Sequence, residues 1–249
     1  IKMANRGVDP WMPGEGTQVV LPTQHILPMA PREGIVINIP EMRLYYYLPA
    51  RGGIPQVETY PISIGRYDWR TPLGVTQITQ KVPNPTWTPP ESIRIEHAGK
   101  GDVLPPVVPA GPDNPLGQFA LRLGVPGYLI HGTNKPYGIG MRVTHGCLRL
   151  YPEDIATLFN QVTPGVKVNF VSQPYKIGQA FGVTYLAVHP PLKEEKGRRE
   201  GALGEIARLL ASRGVATADV DWVAVRRELA KPTGIPVPIT QPDDSPQLD

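Results

Sequence analysis

The chain carries a single cysteine, Cys147, in 249 residues. That excludes an internal disulfide and any metal site built from several thiolates. No apolar run approaches the roughly 18 residues of a membrane span, so no transmembrane segment is expected. The opening Ile1-Lys2-Met3-Ala4-Asn5 lacks the charged-then-apolar layout of a signal peptide. Dense basic tracts are also missing. Twenty-five Lys and Arg against 22 Asp and Glu leave a net charge of +3, and the nearest cluster, Lys193 to Arg199, is interleaved with Glu194 and Glu195. Nucleic acid is therefore not an expected partner, because phosphate binding needs clustered cations. Mild basicity suits another anionic polymer equally well. The acidic residues show no paired-carboxylate signature of a glycosidase. His131 and His145 lie far outside an i, i+4 pair, so no metal is expected, and nothing in the sequence implies an organic cofactor.

Proline and glycine are abundant instead, at 31 and 26 residues. Together they stay just below the ~25–30% that marks disorder. The prolines fall between apolar runs, and proline is excluded from helix interiors and central strands, so they punctuate many short elements. Period-two alternation begins at Gly34, through Ile35, Ile37 and Ile39 and then Met42, Leu44, Tyr46 and Leu48. Similar segments recur at residues 57–64, 75–80, 119–123, 128–130, 166–171 and 183–189, separated by turn residues. The class is mainly β, a sandwich or barrel with one or two short helices. Tyr45 to Tyr47 read as a strand with one ring inward. Pro152 opens a helix with Ile155, Leu158 and Phe159 on one face. Helical spacing returns in Leu203, Ile206, Leu209 and Leu210, then in Trp222, Val225 and Leu229, which predicts a C-terminal helical pair turning at Gly214. Four segments are expected: an arm over 1–33, a catalytic domain over 34–192, the helical appendage over 193–235, and a loose, Pro-rich, acidic tail over 236–249.

The informative stretch runs from His131 to Ile155. His131 ends the apolar run Tyr128-Leu129-Ile130, and Cys147 stands in Thr144-His145-Gly146-Cys147-Leu148-Arg149. A thiol at its ordinary pKa is mostly protonated at neutral pH, so a nucleophilic cysteine needs a neighbouring base or cation, which histidine supplies. The loop between is long enough to bring His131 back to Cys147. Gly146 allows a sharp turn whose N–H groups converge as an oxyanion hole would require, and Gly132 frees the backbone beside His131. Arg149 shares the face of Cys147 if the segment is extended. On the residues alone, a nucleophilic Cys147 and an inert, buried one both stand. His25, His97 and His189 read as structural or surface residues.

These residues resemble a known family. His131-Gly132-Thr133, fifteen residues between His131 and Cys147, and Thr144-His145-Gly146-Cys147 followed by Arg149 look like the signature of the bacterial L,D-transpeptidases with a YkuD-type catalytic domain. The resemblance spans roughly residues 5–192 and is strongest to the Gram-negative periplasmic branch, which includes lipoprotein-anchoring members. It implies that Cys147 attacks the diaminopimelate carbonyl of a peptidoglycan tetrapeptide stem and expels D-Ala. The resulting thioester would pass to an amine, either a lipoprotein lysine or a second stem peptide. It also implies His131 as the base, with the Gly132 carbonyl orienting its ring, and the Gly146 and Cys147 N–H groups as oxyanion donors. Arg149 would take a stem carboxylate, Thr144 and His145 would shape the turn, and Tyr128, Thr133, Asn134 and Trp87 would line the cleft. Carbapenem β-lactams would be covalent inhibitors. A periplasmic location follows from where peptidoglycan is, with a leader removed or trimmed. Residues Asn5 to Trp11 resemble the end of a LysM module, so 1–33 also read as the tail of a truncated one. Two other readings stand beside this one: a carboxypeptidase or amidase that resolves the same thioester with water, and a non-catalytic peptidoglycan-binding module.

Overall fold

The structure is a computed structural model that describes residues 3–9 and 12–241. The expectations placed on Pro10, Trp11 and the tail beyond 241 lie outside the described residues. The chain divides into two compact units, one of residues 30–171 and the other of residues 1–29 with 172–249.

In the 30–171 unit, eight strands form one sheet: β1 (Gly34–Asn38), β2 (Arg43–Arg51), β3 (Ile54–Pro61), β5 (Gly74–Pro83), β6 (Phe119–Leu123), β7 (Leu129–His131), β9 (Leu148–Arg149) and β10 (Lys167–Val171). Their order is β3-β2-β1-β10-β5-β6-β7-β9, antiparallel except for the β1/β10 and β7/β9 pairs. The short strands β4 (Ile64–Gly65) and β8 (Arg142–Thr144) make a separate parallel pair. β1 sits inside the sheet, and Ile35, Val36, Ile37 and Asn38 are all buried, so the alternation read in the sequence does not translate into one wet face. The tyrosine run of β2 corrects a second expectation: Tyr45, Tyr46 and Tyr47 are all buried, not one of them. Tyr45 is held by its hydroxyl, 2.6 Å from Glu41 Oε1. Two helices accompany the sheet, α1 (Glu91–Ala98) and α2 (Pro152–Gln161). α2 starts at its proline and buries Ile155, Leu158 and Phe159 as its pattern predicts. It packs on β6 through Phe159, whose ring centroid lies 4.6 Å from that of Phe119.

The other unit holds β11 (Tyr175–Ala180), β12 (Val183–Val188), α3 (Ala202–Ala211), α4 (Trp222–Ala230) and β13 (Val237–Pro238). The boundary expected at 192 falls inside it. The physical reason is its core: Tyr175, Ile177, Leu186 and Val188 of the two strands pack with Ile206 and Leu210 of α3 and Val225 of α4. The helical pair predicted from Leu203 to Leu229 is present, with Asp221 capping α4 through the N–H groups of Val223 and Ala224. The tail is not loose at its start. β13 pairs with β12, and Ile239 is buried in the same core. The end of the arm lies along β11, where Gln173 exchanges two hydrogen bonds with the Met29 backbone, each 2.8 Å. Among the described residues, no helix is long and apolar enough to cross a membrane.

Candidate active site

Short elements converge on one cleft of the 30–171 unit. The cleft, about 1070 Å³, is lined by His131, Cys147 and Arg149 together with Tyr128, Trp87, Asn134, Thr144 and His145. The parallel pairing of β7 with β9 sets Ile130 opposite Leu148 and His131 opposite Arg149. Side chains two apart on a strand share a face, so Cys147, just before β9, lies on the face of Arg149 and His131. Ile130 and Leu148 point the other way and are fully buried. A buried ladder thus fixes which side chains reach the cleft.

His131 is 3% exposed, and its Nδ1 donates to the Gly132 carbonyl at 2.7 Å. A carbonyl can only accept, so Nδ1 carries the proton and Nε2 is left as the basic nitrogen. Burial pushes the imidazole pKa down to about 3, with the Arg149 charge adding to the effect and the Gly132 and Leu116 carbonyls opposing it. Burial pushes the Cys147 thiol up, against weaker opposing pulls from the Leu129 backbone and Arg149. Its Sγ lies 3.5 Å from the Gly127 carbonyl. At neutral pH the site therefore rests as a neutral thiol and a neutral imidazole. Arg149 is itself pushed down by burial, and its Nε is buried with no hydrogen-bond partner among the described residues. A guanidinium that lines the cleft while its Nε–H stays buried and unpaired is suited to an anionic ligand.

The turn before the cysteine depends on Gly146, at φ +101°, where a Cβ would also stand 2.9 Å from Tyr128 Cε1. Thr144 Oγ1 accepts from the Gly146 N–H at 3.2 Å and donates to the Cys147 carbonyl. Of the two expected oxyanion donors, the Gly146 N–H is thus already engaged. The Gly146 carbonyl accepts from Thr71 Oγ1 at 3.1 Å, and the Tyr128 hydroxyl donates to the Arg70 carbonyl at 2.9 Å. His145, beside the turn, donates from Nε2 to Glu96 Oε2 at 2.8 Å. Glu96, on α1, also takes a bidentate pair from Arg66, 2.9 Å each, and Lys100 at 2.6 Å. Hydrogen bonds from Arg66, Lys100 and His145 hold its carboxyl well below the usual carboxylate range.

Trp87 lines the cleft from a backbone bridge to Val108, and Asn134 lines it while its Nδ2 donates to the Asp113 carbonyl. Thr133 does not reach the cleft as expected: it is buried, and its Oγ1 accepts from the Lys135 N–H at 2.9 Å, closing the local turn. His97, read as structural or surface, lines the cleft wall paired with Asp102 at 2.7 Å. Glu96, Arg66, Trp69 and Thr71 were not singled out in the sequence. Nothing in the local pattern marks them, because Glu96 meets His145 across 49 positions of chain. Among the described residues, no group of three or more His, Cys, Asp or Glu could hold a metal ion.

The family model of the L,D-transpeptidase catalytic domain, YkuD, matches residues 32–170, which contain every residue of this cleft. The chain is 45% identical over 249 residues to the probable L,D-transpeptidase YcfS of Escherichia coli (strain K12), covering 98% of this chain and 77% of that protein. It is 43% identical over 240 residues to the probable L,D-transpeptidase YbiS of the same strain, covering 94% and 76%. Among solved structures, the L,D-transpeptidase LdtMt1 in complex with imipenem is similar at 23% identity and a TM-score of 0.39, over 55% of this chain and 57% of that one. The match over more than half the chain, with close relatives along nearly all of it, makes this protein a member of the L,D-transpeptidase (YkuD) family.

Proposed function

We propose that the protein is a cysteine L,D-transpeptidase of peptidoglycan. The observation that carries this reading is the β7/β9 ladder, which presents His131, Cys147 and Arg149 on one face of one cleft, with the imidazole fixed by the Gly132 carbonyl. The donor is a tetrapeptide stem whose carboxylate meets Arg149. Cys147 Sγ attacks the diaminopimelate carbonyl while its proton passes to His131 Nε2. The oxyanion meets the Cys147 N–H, and the Gly146 N–H joins it by leaving Thr144 Oγ1. Collapse breaks the amide bond, and D-Ala leaves with the proton from His131. An amine then attacks the thioester, gives its proton to His131 and releases the thiol.

The neutral resting pair supports a concerted first step, since the ion pair is disfavoured before substrate arrives. Arg149 stabilises a thiolate but opposes an imidazolium, so a stem carboxylate that neutralises it makes His131 a stronger base. The amine is a lipoprotein lysine or a second diaminopimelate, and the site of action is the periplasm, where both are found. Carbapenems are covalent inhibitors on this reading: Sγ attacks the lactam carbonyl, the ring C–N bond opens, and the nitrogen takes the proton.

The test is the intact mass of the protein after brief exposure to a diaminopimelate tetrapeptide muropeptide, alone and then with an amine acceptor. A thioester adduct that transfers to the amine, and that is absent in Cys147→Ala, is the expected result. An adduct that decays to free tripeptide despite the amine would replace the transferase with a hydrolase. No adduct with either the muropeptide or a carbapenem would leave a binding module.

A further inference from the structure

We propose that Glu96 is a positioning residue for Cys147, acting through the His145 and Arg66 side chains to hold the Gly146–Cys147 turn in the geometry that acyl transfer needs. This rests on the transferase reading above, and it concerns a residue in none of the roles assigned there.

Gly146 is the reason a restraint is needed. Glycine is the most permissive residue of the backbone, and here it immediately precedes the nucleophile at φ +101°. Nothing in its own side chain fixes that conformation, so the neighbours must. His145 is the side chain next to it, and it is held on two sides. Glu96 Oε2 accepts from its Nε2 at 2.8 Å, and the Trp69 ring packs on its ring in a T-shaped arrangement, with centroids 5.2 Å apart. Arg66 closes the frame. Its guanidinium grips both Glu96 oxygens, its Nη2 lies 3.3 Å from the same His145 nitrogen, and the Arg66 backbone N–H donates to the Thr144 carbonyl at 2.9 Å.

One carboxylate thereby ties α1, the segment after β4 and the nucleophile turn together. An isolated surface pair contributes little, but this is a bidentate Arg–carboxylate pair with two further donors, and the Glu96 and His145 side chains are only 24% and 17% exposed. α1 is itself anchored by Ile93, which is only 7% exposed. The frame touches no atom that reacts. Its effect is on where the turn's N–H groups and Sγ stand, and an error of ~1 Å in such placement costs about 10²-fold in rate.

The experiment separates placement from thiol reactivity. A carbapenem must meet the oxyanion donors as well as Sγ. Iodoacetamide, whose iodide the thiolate displaces, needs only the thiolate. For Glu96→Gln, the acylation rate constant at saturating carbapenem, read by intact mass, should fall by about 10- to 100-fold. The half-saturating carbapenem concentration and the alkylation rate across pH 6–9 should each change by less than about 3-fold. Arg66→Lys, which keeps the charge but loses the fork, should show the same split to a smaller degree, and it stands in if Glu96→Gln does not fold. Unchanged acylation in the folded variants overturns the proposal. So does a parallel fall of acylation and alkylation, which would place the effect on the thiol's ionisation. A parent protein that takes no carbapenem at all would instead overturn the transferase reading, and this proposal with it.

Discussion

Two histidines face the same cleft from opposite surroundings. His131 is buried and hydrogen-bonds the Gly132 carbonyl, so burial, with the Arg149 charge adding to it, decides its state and keeps it neutral. His145 sits on the turn and meets a carboxylate, an arginine and the Trp69 ring, so its side chain serves as an anchor. The contrast teaches that proximity to the nucleophile in sequence is a poor guide to role. His145 is two residues from Cys147, yet its Nε2 is committed to Glu96. His131 is sixteen residues away, and the parallel ladder brings it to the face of Cys147 with Nε2 uncommitted to Gly132.

That contrast can be broken or sharpened by substitution. The largest effect belongs to Cys147→Ala, which should abolish any covalent adduct with muropeptide or carbapenem by intact mass while leaving the circular dichroism spectrum unchanged. Next, His131→Ala should lower the acylation rate by about 10²–10⁴-fold, the scale of positioned acid–base catalysis. His145→Ala should lower it by only about 10- to 100-fold, as loss of placement rather than of a base. Stopped-flow acylation by a carbapenem measures both, and a reversed ranking would exchange the two roles. Gly146→Ala strains the turn that His145 steadies and drives a Cβ toward the Tyr128 ring. A loss of about 1–3 kcal/mol in urea unfolding is expected.

The smallest effect is on acid stability. With a folded pKa of about 3 against an ordinary 6.5, His131 stays neutral while the unfolded chain takes up a proton between those values. Stability should therefore fall as pH drops through that window and level off below it. Urea unfolding at pH 7 and pH 4.5 should show a smaller loss for His131→Gln than for the parent. That subtraction also removes the common contribution of Glu96, whose depressed pKa is lost in acid in both proteins.

What the sequence disclosed follows from what each element is made of. α2 is ten residues long, opens with proline and buries three apolar side chains at helical spacing, so its pattern was readable. α1 is eight residues long and buries only Ile93, while Ile95 is exposed, so no periodicity announced it. β4 and β9 have two residues each, too few for any period. The same division holds at the site. His131, Gly132, Gly146, Cys147 and Arg149 fall in a local pattern of spacing and turn chemistry that the sequence displays. Thr133 belongs to that pattern too, but its side chain closes a turn away from the cleft. Glu96 and Arg66 reach the turn only because the sheet and α1 bring distant segments together, and no short window of sequence contains that information.

The raised thiol pKa of Cys147 also bears on the lifetime of the protein. Peroxide attacks the thiolate, and a sulfenic acid is rescued most readily by a second cysteine that condenses with it. Cys147 has no other cysteine among these 249 residues to do so. A cleft that raises the thiol pKa withholds the oxidisable thiolate. Burial of the thiol thus also guards the sulfur against oxidation.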